Sequence, residues 1–285
     1  MGILSLFISV VFAAETILSP IPDGTPIVIP QPPKPTMSFG QITQVLGAAV
    51  EATPTPIPTP TPIVAKKKSY TIAFLGDSMI DTMGPGLPAV QNALTNVYAA
   101  TKFNLLNYGV GGTNIDYGIT RITGDYDYLG KHVLSLASAH PDIVVLESFG
   151  YNPFPVATGI DRHWLALSTA VDTLRQNIPG AKIIIAATIA PNSKVFGDGA
   201  PGIAFSPQDK VERTNVIKSY LDSTVKFARS QNLPLADAYH ASMDGSGDGI
   251  LSYINPGDHI HYSDAGRALF ANTVFNAIAA NHLLE

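Results

Sequence analysis

Tyr70-Thr-Ile-Ala-Phe-Leu-Gly-Asp-Ser-Met79 is an apolar, β-prone run that stops abruptly at Gly76-Asp77-Ser78. A second break, Met83-Gly-Pro-Gly-Leu-Pro88, follows and leads into helix-like sequence. The pattern predicts a buried first strand that delivers Ser78 to the rim of a sheet. Open α/β sheets hold their ligands at the carboxyl ends of the strands. A serine at such a point can act as a nucleophile only with a base to take its proton and donors to hold an oxyanion.

Outward from that stretch, strands and helices alternate. A helix is expected over 87–102, then a strand over 103–110 that runs into Gly111-Gly112-Thr113-Asn114. This glycine loop reads either as a tight turn or as backbone N–H groups brought close to a reacting oxygen. It is not a phosphate loop, because no Gly-Lys-Ser/Thr follows. Residues 115–140 are mixed, with a helix expected over 128–139. Asp142-Ile-Val-Val-Leu-Glu-Ser-Phe149 predicts a third buried strand, ending in Gly150-Tyr151-Asn152-Pro153. Asn152 reads as a turn residue or as a polar group at another strand tip. A helix over 164–178 is closed by Pro179-Gly180. The apolar run 181–188 predicts a strand covered on both faces. A Gly/Pro-rich loop at 190–207 is placed to shape a substrate mouth. A long helix over 208–231, a short strand over 233–239 and a terminal helix over 262–284 complete the chain. Five strands alternating with helices give a parallel three-layer α/β/α domain.

Just before the terminal helix stands Gly257-Asp258-His259-Ile260-His261. His261 can serve as a base, with Asp258 fixing its tautomer so that the other ring nitrogen is free to accept a serine proton. The plain alternative is a helix-start loop with satisfied polar groups. A metal site on His259 and His261 lacks a third ligand nearby. Asp244-Gly-Ser-Gly-Asp-Gly249 resembles the start of a calcium loop, with Asp244, Ser246 and Asp248 at the oxygen positions. Asn255 stands where a bidentate Glu would be expected, so a surface turn is the better reading.

Composition sets the outer bounds. Residues 1–68 hold 12 of the 23 prolines, whereas 69–285 have a globular composition with 19 acidic and 13 basic side chains. That balance argues against nucleic-acid binding. Lys66-Lys67-Lys68 is too short to change this and reads as a solvated charge run. The chain has no cysteine, which excludes disulfides, thiolate chemistry and a lipidated lipobox. Gly2–Ala14 is apolar and suits a secretory leader cleaved near Ala13 or Ala14, although no Lys or Arg precedes it. An uncleaved signal anchor is the alternative. Thr53-Pro-Thr-Pro-Ile-Pro-Thr-Pro-Thr-Pro62 favours extended polyproline II geometry, the mark of a spacer. The expected organisation is therefore a leader or anchor over 1–15, a Pro/Thr-rich linker over 16–68 and one domain over 69–285. The expected location is secreted or attached to the cell envelope.

Four blocks coincide with a known family. Gly76-Asp77-Ser78, Asn107-Tyr-Gly-Val-Gly-Gly112, Gly150-Tyr-Asn152 and Asp258-His-Ile-His261 resemble the four blocks of SGNH (GDSL-type) hydrolases, in that family's order. The resemblance spans about 69–284 and implies a flavodoxin-like fold. It implies Ser78 as nucleophile, His261 as base and Asp258 as its partner. It also implies an oxyanion hole from the Ser78 and Gly112 backbone N–H groups and the Asn152 amide, with Gly111 the close alternative to Gly112. Pro153 departs from the aspartate usual after the asparagine. The activity implied is ester hydrolysis without a cofactor. The tethered, acidic, exported layout points to an acylated carbohydrate as the substrate, with a lipase or lysophospholipase as the alternative, and a monomer is expected. Sugar O-acyl transfer is a further alternative, and a silent binding module is the reading from a different class. The serine lacks the Gly-x-Ser-x-Gly elbow of α/β-hydrolases.

Overall fold

The computed structural model describes residues 65–285. The expected leader and nearly all of the expected linker lie outside the described residues. Among the described residues, no helix is long and apolar enough to cross a membrane.

Ser69–Gly76 forms β1, and its side chains alternate between two helical layers. Ile72 and Phe74 join the core beneath one layer, and Ala73 and Leu75 join the core beneath the other. A strand buried on both faces reads as a continuous apolar run, which is why 70–75 lacks polar alternation. The chain continues through α1 (Ser78–Asp81), α2 (Pro88–Thr95), β2 (Lys102–Gly109) and α3 (Ile115–Thr123). A small hairpin follows, β3 (Tyr126–Tyr128) and β4 (Lys131–Val133), then β5 (Ile143–Glu147), α4 (Gly159–Asn177) and β6 (Lys182–Ala187). α5 (Pro207–Ser230), β7 (Leu235–Asp237), α6 (Ala238–Ala241) and α7 (Asp264–Ala280) end the domain. The main sheet has the order β2-β1-β5-β6-β7 with every pair parallel. Helices α2 and α7 cover one face, and α3, α4 and α5 cover the other. This is the three-layer α/β/α arrangement expected from the sequence.

The order of the sheet has a consequence for function. From β1 the chain moves outward to β2, then returns to the other side of β1 as β5. The crevice above β1 and β5 is therefore the topological switch point, where open α/β sheets bind ligands.

One expected helix is cut short, and another is absent. The helix expected over 87–102 is α2, which starts with Pro88 at its first turn and stops at Thr95. Proline suits that first position because its missing N–H has no helical acceptor. At the other end Thr95 Oγ bonds back to the Gln91 carbonyl (2.8 Å), and the chain turns toward β2. The helix expected over 128–139 is instead the hairpin β3–β4 followed by a single 3₁₀ turn over Leu136–Ala139. Leu129 and Gly130 both have positive φ, 50° and 74°. A two-residue loop with both residues left-handed matches the right-handed twist of a hairpin, and no helix can pass through it.

Behind the tip of β5, His163 is buried on α4. Its Nε2–H donates to the Ser148 carbonyl at 2.7 Å, while its Nδ1 is buried without a partner among the described residues. Burial pushes its pKa down to about 4. The folded value lies below the unfolded one, so the native state resists protonation. Stability is full above the unfolded pKa of about 6.5 and is lost as pH falls toward 4, by about 2–3 kcal/mol at pH 4.5. Urea unfolding at pH 7.5 and 4.5 should show this loss, and His163→Gln should remove most of it. An equal pH dependence in the variant would show that another group is responsible.

Candidate active site

The site assembles at the carboxyl ends of β1, β2 and β5. β1 ends at Gly76, and Ser78 opens α1. The Asp77 side chain caps this short helix, its Oδ1 accepting the Met79 N–H at 2.8 Å. Side-chain oxygens of aspartate are suited to unpaired N–H groups at a helix start. The Ser78 N–H, at the first helical position, donates no hydrogen bond among the described residues.

Asp77 has a second role that local sequence does not carry. Its Oδ2 accepts a hydrogen bond from Asn152 Nδ2 at 2.8 Å. One carboxylate thus shapes the serine turn and orients an amide 75 residues away. Asp77 is fully buried, and burial raises its pKa, opposed by the bonds from Met79 N–H and Asn152. An amide NH₂ has two protons, so Asn152 keeps one for another acceptor.

Glu147, the last residue of β5, secures both turns from below. Its Oε2 accepts the Asp77 N–H at 3.2 Å, and its Oε1 accepts the Ser148 hydroxyl at 2.5 Å and the Phe149 N–H at 2.9 Å. Phe149 is left-handed, with φ of 52°, so the chain turns sharply there toward Asn152. Burial, then the nearby Asp77 charge, raises the Glu147 carboxyl well above the ordinary range. Arg121 is also buried, with Nη1 and Nη2 donating to the Tyr108 carbonyl (2.5 Å) and the Gly76 carbonyl (3.0 Å). It ties together the ends of β1 and β2. Sequence reasoning missed Glu147 and Arg121. Glu147 had a legible signal, a carboxylate ending an otherwise apolar strand.

The glycine loop lies beside the serine. β2 can approach α1 closely because Gly109 has no side chain; a Cβ there would lie 2.1 Å from the Asp81 nitrogen. Asn107 fastens the same junction, donating to the carbonyls of Ile80 (2.9 Å) and Gly84 (3.1 Å) while accepting the Gly109 N–H. The two candidate N–H donors then separate. Gly111 N–H is already donated to the Tyr128 hydroxyl at 3.1 Å. Gly112 has φ of 70°, a left-handed geometry natural to glycine, and its N–H donates no hydrogen bond among the described residues.

In the loop before α7, Asp258 and His261 meet directly. His261 Nδ1–H donates to Asp258 Oδ2 at 2.9 Å. Asp258 Oδ2 also accepts Asn255 Nδ2 (3.2 Å), and its Oδ1 accepts the backbone N–H groups of Ile260 (2.9 Å) and His261 (3.0 Å). Burial alone would raise the Asp258 carboxyl, but these donors, His261 first, hold it below its ordinary value. With Nδ1 protonated, His261 Nε2 carries the free lone pair. Ser78 Oγ makes no hydrogen bond to His261 or to any other described residue. Such contacts are often long before substrate binds.

The remaining candidates have other partners. His259 Nδ1–H donates to the Asp198 carbonyl at 2.7 Å, which joins the 190–207 loop to the Asp258 turn. Asp244 Oδ1 accepts from Ser246 and from the Asp248 N–H, while Asp248 pairs with Lys218 at 2.6 Å and binds Ser193. Asp244, Ser246 and Asp248 therefore form a braced surface turn, and among the described residues no three His, Cys, Asp or Glu side chains cluster to hold a metal.

No curated protein matches the sequence. Among solved structures the chain is similar to a GDSL-like lipase from Bacteroides thetaiotaomicron, with a TM-score of 0.54 and 13% identity over 74% of this chain and 89% of that one. It is similar to a structure from Parabacteroides merdae assigned as a GDSL-like lipase, with a TM-score of 0.55 and 16% identity over 76% and 97%. An acetylxylan esterase from Geobacillus stearothermophilus aligns with a TM-score of 0.48 and 15% identity over 76% and 96%. At these identities the first two likenesses establish the fold. The family model of GDSL-like lipases and acylhydrolases matches residues 74–269, a span that holds all four sequence blocks, and the chain belongs to that family of SGNH hydrolases.

Proposed function

We propose that the chain is a serine esterase that cleaves carboxylic esters through an acyl-enzyme on Ser78. The observation that carries this reading is the Asp258–His261 bond, because it assigns the proton to Nδ1 and leaves Nε2 as the base. In the proposed reaction Ser78 Oγ attacks the ester carbonyl as His261 Nε2 takes its proton. The carbonyl oxygen becomes an oxyanion held by the Ser78 N–H, the Gly112 N–H and the second Asn152 amide proton. The C–O bond to the alcohol breaks as His261 returns its proton to the departing oxygen. Water, deprotonated by the same histidine, then attacks the acyl-enzyme and releases the acid and Ser78. The cation on His261 is stabilised by the Asp258 carboxylate, which stays ionised.

The substrate class we favour is an acylated carbohydrate, supported by the Pro/Thr spacer and apolar leader in the sequence, which suit an exported enzyme. A panel of p-nitrophenyl esters of rising acyl length and of acetylated sugars would give the acyl and alcohol preference directly.

Asn152→Ala tests the oxyanion assignment. Removing one such donor should lower kcat by about 100- to 1,000-fold with a much smaller change in KM. An effect confined to KM would contradict an oxyanion role for Asn152.

A further inference from the structure

The hairpin β3–β4 lies outside the main sheet, yet its Tyr128 reaches the site. Tyr128 Oη–H donates to Asp81 Oδ2 at 2.7 Å, and the same oxygen accepts the Gly111 N–H at 3.1 Å. Asp81 is three residues beyond Ser78 on α1, so the two share a face of that helix. A Cβ built on Gly111 would lie 3.4 Å from Tyr128 Oη, 3.7 Å from Asp81 Oδ2 and 3.7 Å from Ser78 Cβ. One hydroxyl therefore bridges the serine helix and the glycine loop.

We propose that Tyr128 is a positioning residue that aims the Gly112 N–H at the oxyanion through its bond to Gly111. The proposal rests on the esterase reading. The Gly111 N–H lies in the Val110–Gly111 peptide, the frame from which Gly111 φ and ψ carry the next peptide and its Gly112 N–H. Anchoring the Gly111 N–H stops that frame from rocking and so steadies the direction of the Gly112 N–H. The Asp81 carboxylate strengthens the anchor, because an O–H donating to a charged acceptor becomes a better acceptor itself. Burial, then the bond to Asp81, raises the Tyr128 pKa, so the hydroxyl keeps its proton.

The hairpin is itself held firmly. The Tyr126 ring lies 6.4 Å from that of Tyr117, and the Arg121 guanidinium lies 5.6 Å from its centre. Arg121 is the residue bonded to the ends of β1 and β2, so the hairpin is registered to the strands that carry the site. The Ser135 N–H donates to Asp125 Oδ1 at 2.7 Å and closes the base of the hairpin. Two further ties keep the loop folded without the Tyr128 hydroxyl: Asn107 on the α1 carbonyls, and Thr113 Oγ on the Val110 carbonyl at 2.7 Å. Loss of the hydroxyl alone should therefore change aim rather than fold.

The test is Tyr128→Phe in the full chain, assayed on p-nitrophenyl acetate beside the wild type and Ser78→Ala. We expect kcat to fall about 10- to 100-fold while KM changes less than about twofold. The thermal midpoint should stay near that of the wild type, and exchange of the Gly111 amide hydrogen should accelerate. Asp81→Asn should lower kcat in the same way, and the double variant should be no slower than the worse single one, since both cut one hydrogen-bonded chain. Wild-type kcat in Tyr128→Phe, a loss in KM alone, or losses that multiply in the double variant would overturn the proposal. A wild type without Ser78-dependent turnover would instead overturn the esterase reading, and this proposal with it.

Discussion

Ser78→Ala is expected to lower kcat on p-nitrophenyl acetate by on the order of 10⁵-fold or more, while the thermal midpoint stays close to that of the wild type. The kinetic loss follows because the serine oxygen is the only protein atom proposed to bond with the acyl carbon. The structural tolerance follows from what holds the turn. Asp77 Oδ1 caps α1 through the Met79 N–H, Glu147 Oε2 accepts the Asp77 N–H, and Arg121 holds the Gly76 carbonyl. None of these contacts uses the Ser78 side chain. A variant that kept wild-type turnover would remove Ser78 from the mechanism. One that unfolded would show that the turn depends on a contact outside this set.

Asp258→Asn is the second large effect, expected at about 10³- to 10⁴-fold in kcat. The four bonds to the carboxylate decide which way the new amide points. Oδ1 accepts two backbone N–H groups, from Ile260 and His261, and only an oxygen can replace it there. The NH₂ must then take the place of Oδ2, facing His261 Nδ1 and the Asn255 amide. An NH₂ offered to Nδ1 forces the ring proton onto Nε2, the atom proposed to accept from Ser78. The same swap sets two NH₂ groups against each other at Asn255. Turnover within tenfold of wild type would contradict the assignment of Asp258 as the group that sets the His261 tautomer.

The main sheet was legible because its signal is redundant. Tyr70–Leu75, Asp142–Phe149 and Ala181–Thr188 are short, mostly apolar runs bounded by Gly, Asn or Pro, and each carries a largely buried strand. The hairpin was not legible as such. Tyr126-Asp-Tyr128 and Lys131-His-Val133 are three residues each, too short for periodicity to separate strand from helix. The apolar residues from Leu129 to Leu136 fit a helical face just as well. Only the Leu129-Gly130 pair marked the turn, and leucine is an unusual residue to find left-handed.

In the candidate site the division follows sequence distance. Asp258 and His261 are three residues apart, so a single turn is enough to join them, and their bond could be anticipated. Asp77 bonds Met79, two residues away, so its part in shaping the serine turn is local in sequence. Its bond to Asn152 spans 75 residues and depends on β1 and β5 being neighbours, which only the sheet order supplies. The choice between Gly111 and Gly112 depended on a hydroxyl from the hairpin that the sequence did not place there.

A covalent intermediate on Ser78 can be tested by mass spectrometry after exposure of the full chain to a fluorophosphonate. One adduct per chain is expected, mapped to the peptide containing Ser78, absent from Ser78→Ala and much slower to form in Asp258→Asn. An unmodified wild type, or an adduct on another residue that persists in Ser78→Ala, would contradict it.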